Sequence, residues 1–257
     1  MALHPAAGVP AGAGPAVPVS RRFALVVFVL TFGLLLSDYM SRQVLNAVFP
    51  LLKAEWALSD TQLGSLGGIV ALMVGVLTFP LSLLADRWGR VRCLTLMATL
   101  WSLATLACGL ARNYEEMFAA RFLVGVGEAA YGSVGLAVIL SVFPAHLRAT
   151  LSGAFMAGGM FGSVLGMAAG GVAAAHFGWR GAFVAVALFG LAMSALYPMI
   201  VTPRRLQGGA RSTPVAAAAR MRAGELLGWL FRSRTILCVY VGSALQLFVA
   251  GSLMTWL

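Results

Sequence analysis

Leu83-Leu84-Ala85-Asp86-Arg87-Trp88-Gly89-Arg90 lies between two long apolar runs. Asp86, Arg87 and Arg90 sit on a loop of a few residues, with no room for a domain on either side. Upstream, Thr61–Ala85 is almost free of charge, and downstream so is Cys93–Ala111. A short charged hairpin joining two such runs implies two apolar helices that turn back in water and re-enter a nonpolar medium.

The composition identifies that medium. The chain has 257 residues, of which 60% are hydrophobic and 10% charged, and its mean hydropathy is +0.91. Soluble domains carry about 25% charged residues. A bilayer core of ~30 Å is crossed by ~20 mostly apolar residues. The runs that meet this requirement are Phe23–Phe49, Thr61–Ala85, Cys93–Ala111, Met117–Phe143, Leu151–Phe177 and Ala182–Val201. A seventh run, Thr235–Leu257, follows a long basic linker. The expected organisation is a disordered cytoplasmic tail at 1–22, a six-span domain at 23–201, a cytoplasmic linker at 202–234 and a seventh transmembrane helix at 235–257. The fold class is an all-α membrane protein.

The net charge of +10 does not mark a nucleic-acid binder. Arg21, Arg22, Arg87, Arg90, Arg92, Arg148 and the arginines of 202–234 fall on one side of the bilayer. Lys53, Arg112 and Arg180 fall on the other. Basic loops mark the cytoplasmic side, so the N-terminus is expected there. Cys93, Cys108 and Cys238 show no metal-ligand spacing and read as small hydrophobes. No motif asks for a metal or a cofactor. Gly64-Ser65-Leu66-Gly67 has the wrong order for a membrane serine protease; His176 lies at a span end, and His4 and His146 lie outside spans. Gly125-Val126-Gly127 follows an arginine within an apolar helix, not a strand, so it is no dinucleotide loop.

Charges inside spans are costly and point to function. Asp38 and Arg42 are four residues apart on the first span and share a face. They read either as a self-neutralised pair or as lining of a polar cavity. Arg121 and Glu128 are seven apart on the fourth span, again on one face, with Tyr131 one turn beyond. At ~1.5 Å per residue Arg121 lies about 6 Å from the outer edge and Glu128 about 16 Å. Asp38 and Arg42 reach similar depth, so the four charges meet if spans one and four are neighbours. Glu128 is the expected proton carrier, since burial disfavours its charged form and a nearby arginine favours it. The other reading is a static Arg121–Glu128 pair. Gly158, Gly162, Gly166 and Gly170 recur every fourth residue of span five, a stripe for close helix packing. Ser59-Asp60-Thr61-Gln62 reads as a capping box opening span two.

The hairpin resembles the loop motif of the major facilitator superfamily, Gly-x-Leu-Ala-Asp-Arg-x-Gly-Arg-Arg, with Ser82 and Val91 as departures. Asp38-Tyr39-Met40-Ser41-Arg42, Arg121 through Gly127-Glu128-Ala129-Ala130-Tyr131 to Arg148, and Gly178-Trp179-Arg180-Gly181-Ala182-Phe183 resemble the spinster-like branch. The organic-anion symporter branch is the next most similar. In the spinster-like pattern an Asp precedes the first-span Arg. Here Ser41 stands there, and the acid is one turn earlier at Asp38.

The resemblance implies two six-helix halves, each an inverted 3+3 repeat, that rock about a substrate bound between them. Helices one, four and seven then line the cavity, with Asp38, Arg42, Arg121, Glu128, Tyr131 and Gln246 as its polar residues. Asp86, Arg87, Gly89 and Arg90 would act in the conformational change, with Asp86 holding the outward-facing state against the second half. The implied activity is secondary transport, not enzymatic catalysis. The implied partners are protons, the bilayer of a bacterial inner membrane, and a small-molecule substrate that is an organic anion or a lipid-like amphiphile. Ending at Trp256-Leu257 within an apolar run, the sequence reads as truncated. Its further partner would be a C-terminal half or a second copy. The competing reading is a non-transporting membrane remnant.

Overall fold

A computed structural model describes residues 20–202, together with Leu206, Cys238, Gly242 and Leu245. The linker beyond 202, the seventh helix and Gln246 lie outside the described residues, as does the tail before Ser20. The described chain is helical throughout: α1 Arg21–Trp56, α2 Asp60–Trp88, α3 Arg90–Leu110, α4 Tyr114–Glu128, α5 Tyr131–Val142 and α6 Arg148–Ile200. A 3-10 turn at Ala145–Leu147 precedes α6.

Helix starts follow local chemistry. Ser20 caps α1 by accepting from the Phe23 amide at 3.3 Å, so the helix starts two residues before the expected span. Ser59 and Gln62 form the reciprocal capping box of α2. Asn113 caps α4, with Glu115 and Glu116 in the first turn, where the helix dipole favours acids. Between α2 and α3 only Gly89 is left over. Its φ of 93° is a conformation that side chains disfavour, so glycine fits the hairpin apex.

Two departures from six simple spans matter. The fourth run is broken: α4 ends at Glu128 and α5 starts at Tyr131. The Thr78 hydroxyl of α2 donates to the Ala129 carbonyl at this break, 2.5 Å away. The fifth and sixth runs are instead joined in α6, whose 53 residues would span about 80 Å if straight. Gly178, with φ 71°, interrupts it. Arm 148–177 runs parallel to α1, since Gly158 faces Phe32 and Gly170 faces Val44. Arm 179–200 runs antiparallel to α1, since Gly190 faces Ser37 and Tyr197 meets Thr31. The two arms are therefore separate crossings, and the described chain crosses the membrane six times.

Buried apolar side chains form two clusters. One gathers Leu30, Leu34, Trp101, Tyr131 and Phe155 near the α2–α3 hairpin. The other gathers Leu45, Leu52, Leu66, Met117 and Phe183 towards the opposite end. In α1, Ser37, Asp38 and Ser41 lie between Leu35 of the first cluster and Val44 of the second. In α4, Glu128 lies between Val124 and Ala130. Asp38, Arg42 and Glu128 thus occupy a polar layer between the two apolar clusters, while Arg121 leaves α4 beside Met117, Ala120 and Val124 of the second.

Candidate functional site

α1 runs antiparallel to the broken crossing formed by α4 and α5, and the two meet at this layer. Thr31 of α1 touches Tyr131, and Ser41 touches Glu128. Arg42 Nε lies 2.8 Å from Glu128 Oε2. Its Nη2 lies 3.3 Å from Asp38 Oδ1, one turn back on α1. One arginine thus holds two carboxylates. The contact with Oε2 lies off the N–H axis, and this buried oxygen accepts no hydrogen bond. Glu128 Oε1 is better served, by the Ser41 hydroxyl at 2.5 Å. The ring of Tyr39 covers the Arg42 guanidinium at 5.5 Å, an arrangement that favours a cation.

Arg121 behaves differently. It is 1% exposed, and among the described residues no carboxylate lies within 4.0 Å of it. Its Nε donates to the Leu66 carbonyl of α2 at 3.2 Å and its Nη1 to the Ser41 carbonyl of α1 at 3.0 Å. Helical spacing put Arg121 and Glu128 on one face, but the static pair between them is not formed. Glu128 turns to the neighbouring helix, where Arg42 and Ser41 are closer.

Tyr131 points away from Glu128. Its hydroxyl donates to the Thr31 carbonyl, and its ring packs edge-on against Trp101 with centroids 5.0 Å apart. Gly125 and Gly127, beside Glu128, bring α4 against two helices. A Cβ on Gly125 would sit 2.9 Å from the Val70 carbonyl oxygen of α2, and one on Gly127 would sit 2.7 Å from the Trp101 amide of α3. These glycines locate the carboxylate, a role the sequence alone did not suggest.

The glycine stripe lies on α1. A Cβ on Gly162 would be 2.8 Å from Tyr39 Cβ, and one on Gly166 would be 2.6 Å from Met40 Cα. At the hairpin, Asp86 and Arg90 pair at 3.6 Å, and Arg87 is exposed with them. The Arg90 Nη1 also reaches the Ala137 carbonyl of α5 at 3.5 Å. At the opposite end, Arg180 Nη1 pairs with Glu55 at 2.8 Å, and the Trp179 indole donates to the same carboxylate. Among the described residues no cluster of His, Cys, Asp and Glu is placed to hold a metal ion.

The architecture and these motifs agree with comparison to known proteins. The model of the Major Facilitator Superfamily matches residues 27–257. The chain belongs to this superfamily. It is therefore an integral, multi-pass membrane protein of a transporter family. It is 25% identical over 244 residues to a probable L-galactonate transporter of Escherichia coli strain K12, covering 92% of this chain and 54% of that protein. It is 28% identical to a gallate transporter of Pseudomonas putida, covering 90% and 54%. It is also 28% identical to protein spinster homolog 3 of Danio rerio, covering 92% and 47%. A crystal structure of a bacterial homolog of the human lysosomal transporter Spinster, inward-facing and unoccupied, superposes with a TM-score of 0.77 at 22% identity. It covers 92% of this chain and 55% of that one, and at this identity the likeness concerns the fold. The chain spans about half the length of the relatives it matches.

Proposed function

We propose that this chain supplies the N-terminal half of a proton-coupled carrier of organic anions that works by alternating access. Its N-terminus would face the cytoplasm of a bacterial cell. The observation that carries the reading is Arg121, a buried guanidinium anchored by two backbone carbonyls and facing no carboxylate among the described residues. A buried cation with no carboxylate in direct contact is costly. A substrate carboxylate supplies that contact.

Charge balance links the anion to a proton. Arg42 and Arg121 offset Asp38 and Glu128, so the cluster is neutral when both acids are ionised. A proton on Glu128 leaves it with one excess positive charge. Binding a monoanion restores neutrality, and loss of the proton favours release. A proton and an anion therefore travel together more easily than either does alone. Glu128 suits the proton because it shares the Arg42 guanidinium with Asp38, so that one cation serves two carboxylates. Relatives named for L-galactonate, gallate and hexuronate all handle carboxylates, which supports a small carboxylate over a neutral amphiphile.

The test is uptake of labelled hexuronate and gallate into proteoliposomes by the product of the complete reading frame. Glu128→Gln should abolish accumulation driven by a pH gradient while sparing exchange of labelled for unlabelled substrate. Arg121→Ala should abolish both. Full pH-driven accumulation by Glu128→Gln would remove the proton role. Unaltered exchange by Arg121→Ala would remove the anion site. A chain that moves no solute under any gradient would return the reading to a membrane remnant or to a half that needs a second copy.

A further inference from the structure

We infer that Ser41 is a positioning residue that ties the charge state of Glu128 to the seat of Arg121. This rests on the proposed proton and anion roles of those two residues. Ser41 is buried, and its two polar groups face different ways. Its hydroxyl lies 2.5 Å from Glu128 Oε1 and 2.8 Å from the Asp38 carbonyl oxygen. Its own backbone carbonyl accepts from Arg121 Nη1 at 3.0 Å. Among the described residues, Ser41 alone is hydrogen-bonded to both Glu128 and Arg121.

A hydroxyl has one proton to donate. An ionised carboxylate is the stronger acceptor, so the Ser41 proton goes to Glu128 while that side chain is charged. When Glu128 gains a proton, its own O–H becomes a donor. It then donates to Ser41 Oγ, and the serine proton turns to the Asp38 carbonyl. The only net chemical change is one proton added to the carboxylate. A serine bonded back to a carbonyl on the preceding turn bends its helix. A bend between Asp38 and Ser41 shifts the Ser41 carbonyl relative to α2, which carries the other anchor of Arg121 at Leu66. The guanidinium then loosens from one anchor when a substrate carboxylate is needed as counter-ion.

The groups facing Glu128 are Asp38, Tyr39 and Arg42 from α1, Arg121 from its own helix and Cys108 from α3. All persist when Ser41 is replaced, so a variant here isolates the hydroxyl.

The experiment is an infrared titration of the purified chain in lipid nanodiscs, following the carboxylic-acid band that Glu128→Gln removes. Ser41→Ala should move the midpoint of that band to higher pH by about one unit, the worth of one charge-assisted hydrogen bond. Ser41→Thr, which keeps the hydroxyl, should both titrate and unfold with the parent. Coincident midpoints for Ser41→Ala and the parent would overturn the inference. So would a shift that Ser41→Thr fails to reverse. If Glu128→Gln removes no titrating band, the proton role of Glu128 falls instead, and this inference with it. If Ser41→Ala does not fold, Ser41→Cys, a weaker donor of similar size, should shift the midpoint part of the way, and no shift overturns the inference.

Discussion

α1 shows two faces that could hardly differ more. Towards α6 it meets Gly158, Gly162, Gly166 and Gly170, and the helices touch almost backbone to backbone. Along that glycine stripe no ion pair forms among the described residues, the Glu55–Arg180 pair lying beyond it at the end of α1, and each contact fits one geometry. Towards α4 the same helix offers Asp38, Ser41 and Arg42, whose partners depend on where one proton sits. Close packing allows one arrangement, whereas shared acceptors give choice. Because both faces belong to one helix, a small bend at Asp38–Ser41 on the polar side is felt at once where Tyr39 and Met40 meet Gly162 and Gly166.

The comparison breaks most completely on the packed side. Gly166→Leu puts a branched side chain where even a Cβ lies 2.6 Å from Met40 Cα. We expect almost no folded monomer by size-exclusion chromatography in detergent. Gly171→Leu, one residue on and with nothing within 4 Å of its Cβ, should elute as the parent does. On the polar side, Arg42→Met leaves Asp38 and Glu128 without their shared cation. Breaking a buried pair from one side costs about 3–5 kcal/mol. Thermal unfolding should show that loss, and the double variant Arg42→Met/Glu128→Gln should recover a good part of it. A double variant as unstable as the single would mean that the arginine acts mainly by packing.

A smaller effect tests the break in the fourth crossing. Thr78→Val removes the hydroxyl that satisfies the Ala129 carbonyl and should cost about 1 kcal/mol in chemical unfolding. The smallest is expected at the end of α1 where it meets α6 through Glu55. Both side chains of the Glu55–Arg180 pair are more than a third exposed. Glu55→Gln should therefore cost less than about 1 kcal/mol, and the difference should shrink further in high salt.

Much of this was legible in the sequence. Apolar runs broken by charge located the crossings, and Ser59 with Gln62 located a helix start. The four-residue spacing of glycines marked a packing stripe, because helical period fixes which residues share a face. What the period does not fix is which neighbouring helix that face meets. Arg121 and Glu128 share a face of α4, yet Glu128 pairs with Arg42 and Arg121 with two carbonyls. Ser41 stood out only as a departure from the spinster-like pattern, and nothing in the sequence linked it to Glu128 or Arg121. The break after Glu128 falls at Ala129 and Ala130. Alanine is the best helix former, so tertiary contacts set that break against local preference. The single-residue turn at Gly178 was also hidden, since Gly178-Trp179-Arg180-Gly181 reads as a loop.

That turn leaves the fifth and sixth crossings without slack. A protease working from that face meets a corner one residue long instead of a strand it can thread, so cleavage there should be slow. An epitope or fluorophore inserted at 178 would have to prise apart Trp179, Arg180 and Glu55. A reporter for that surface belongs elsewhere, for instance beside the exposed Arg112 between α3 and α4.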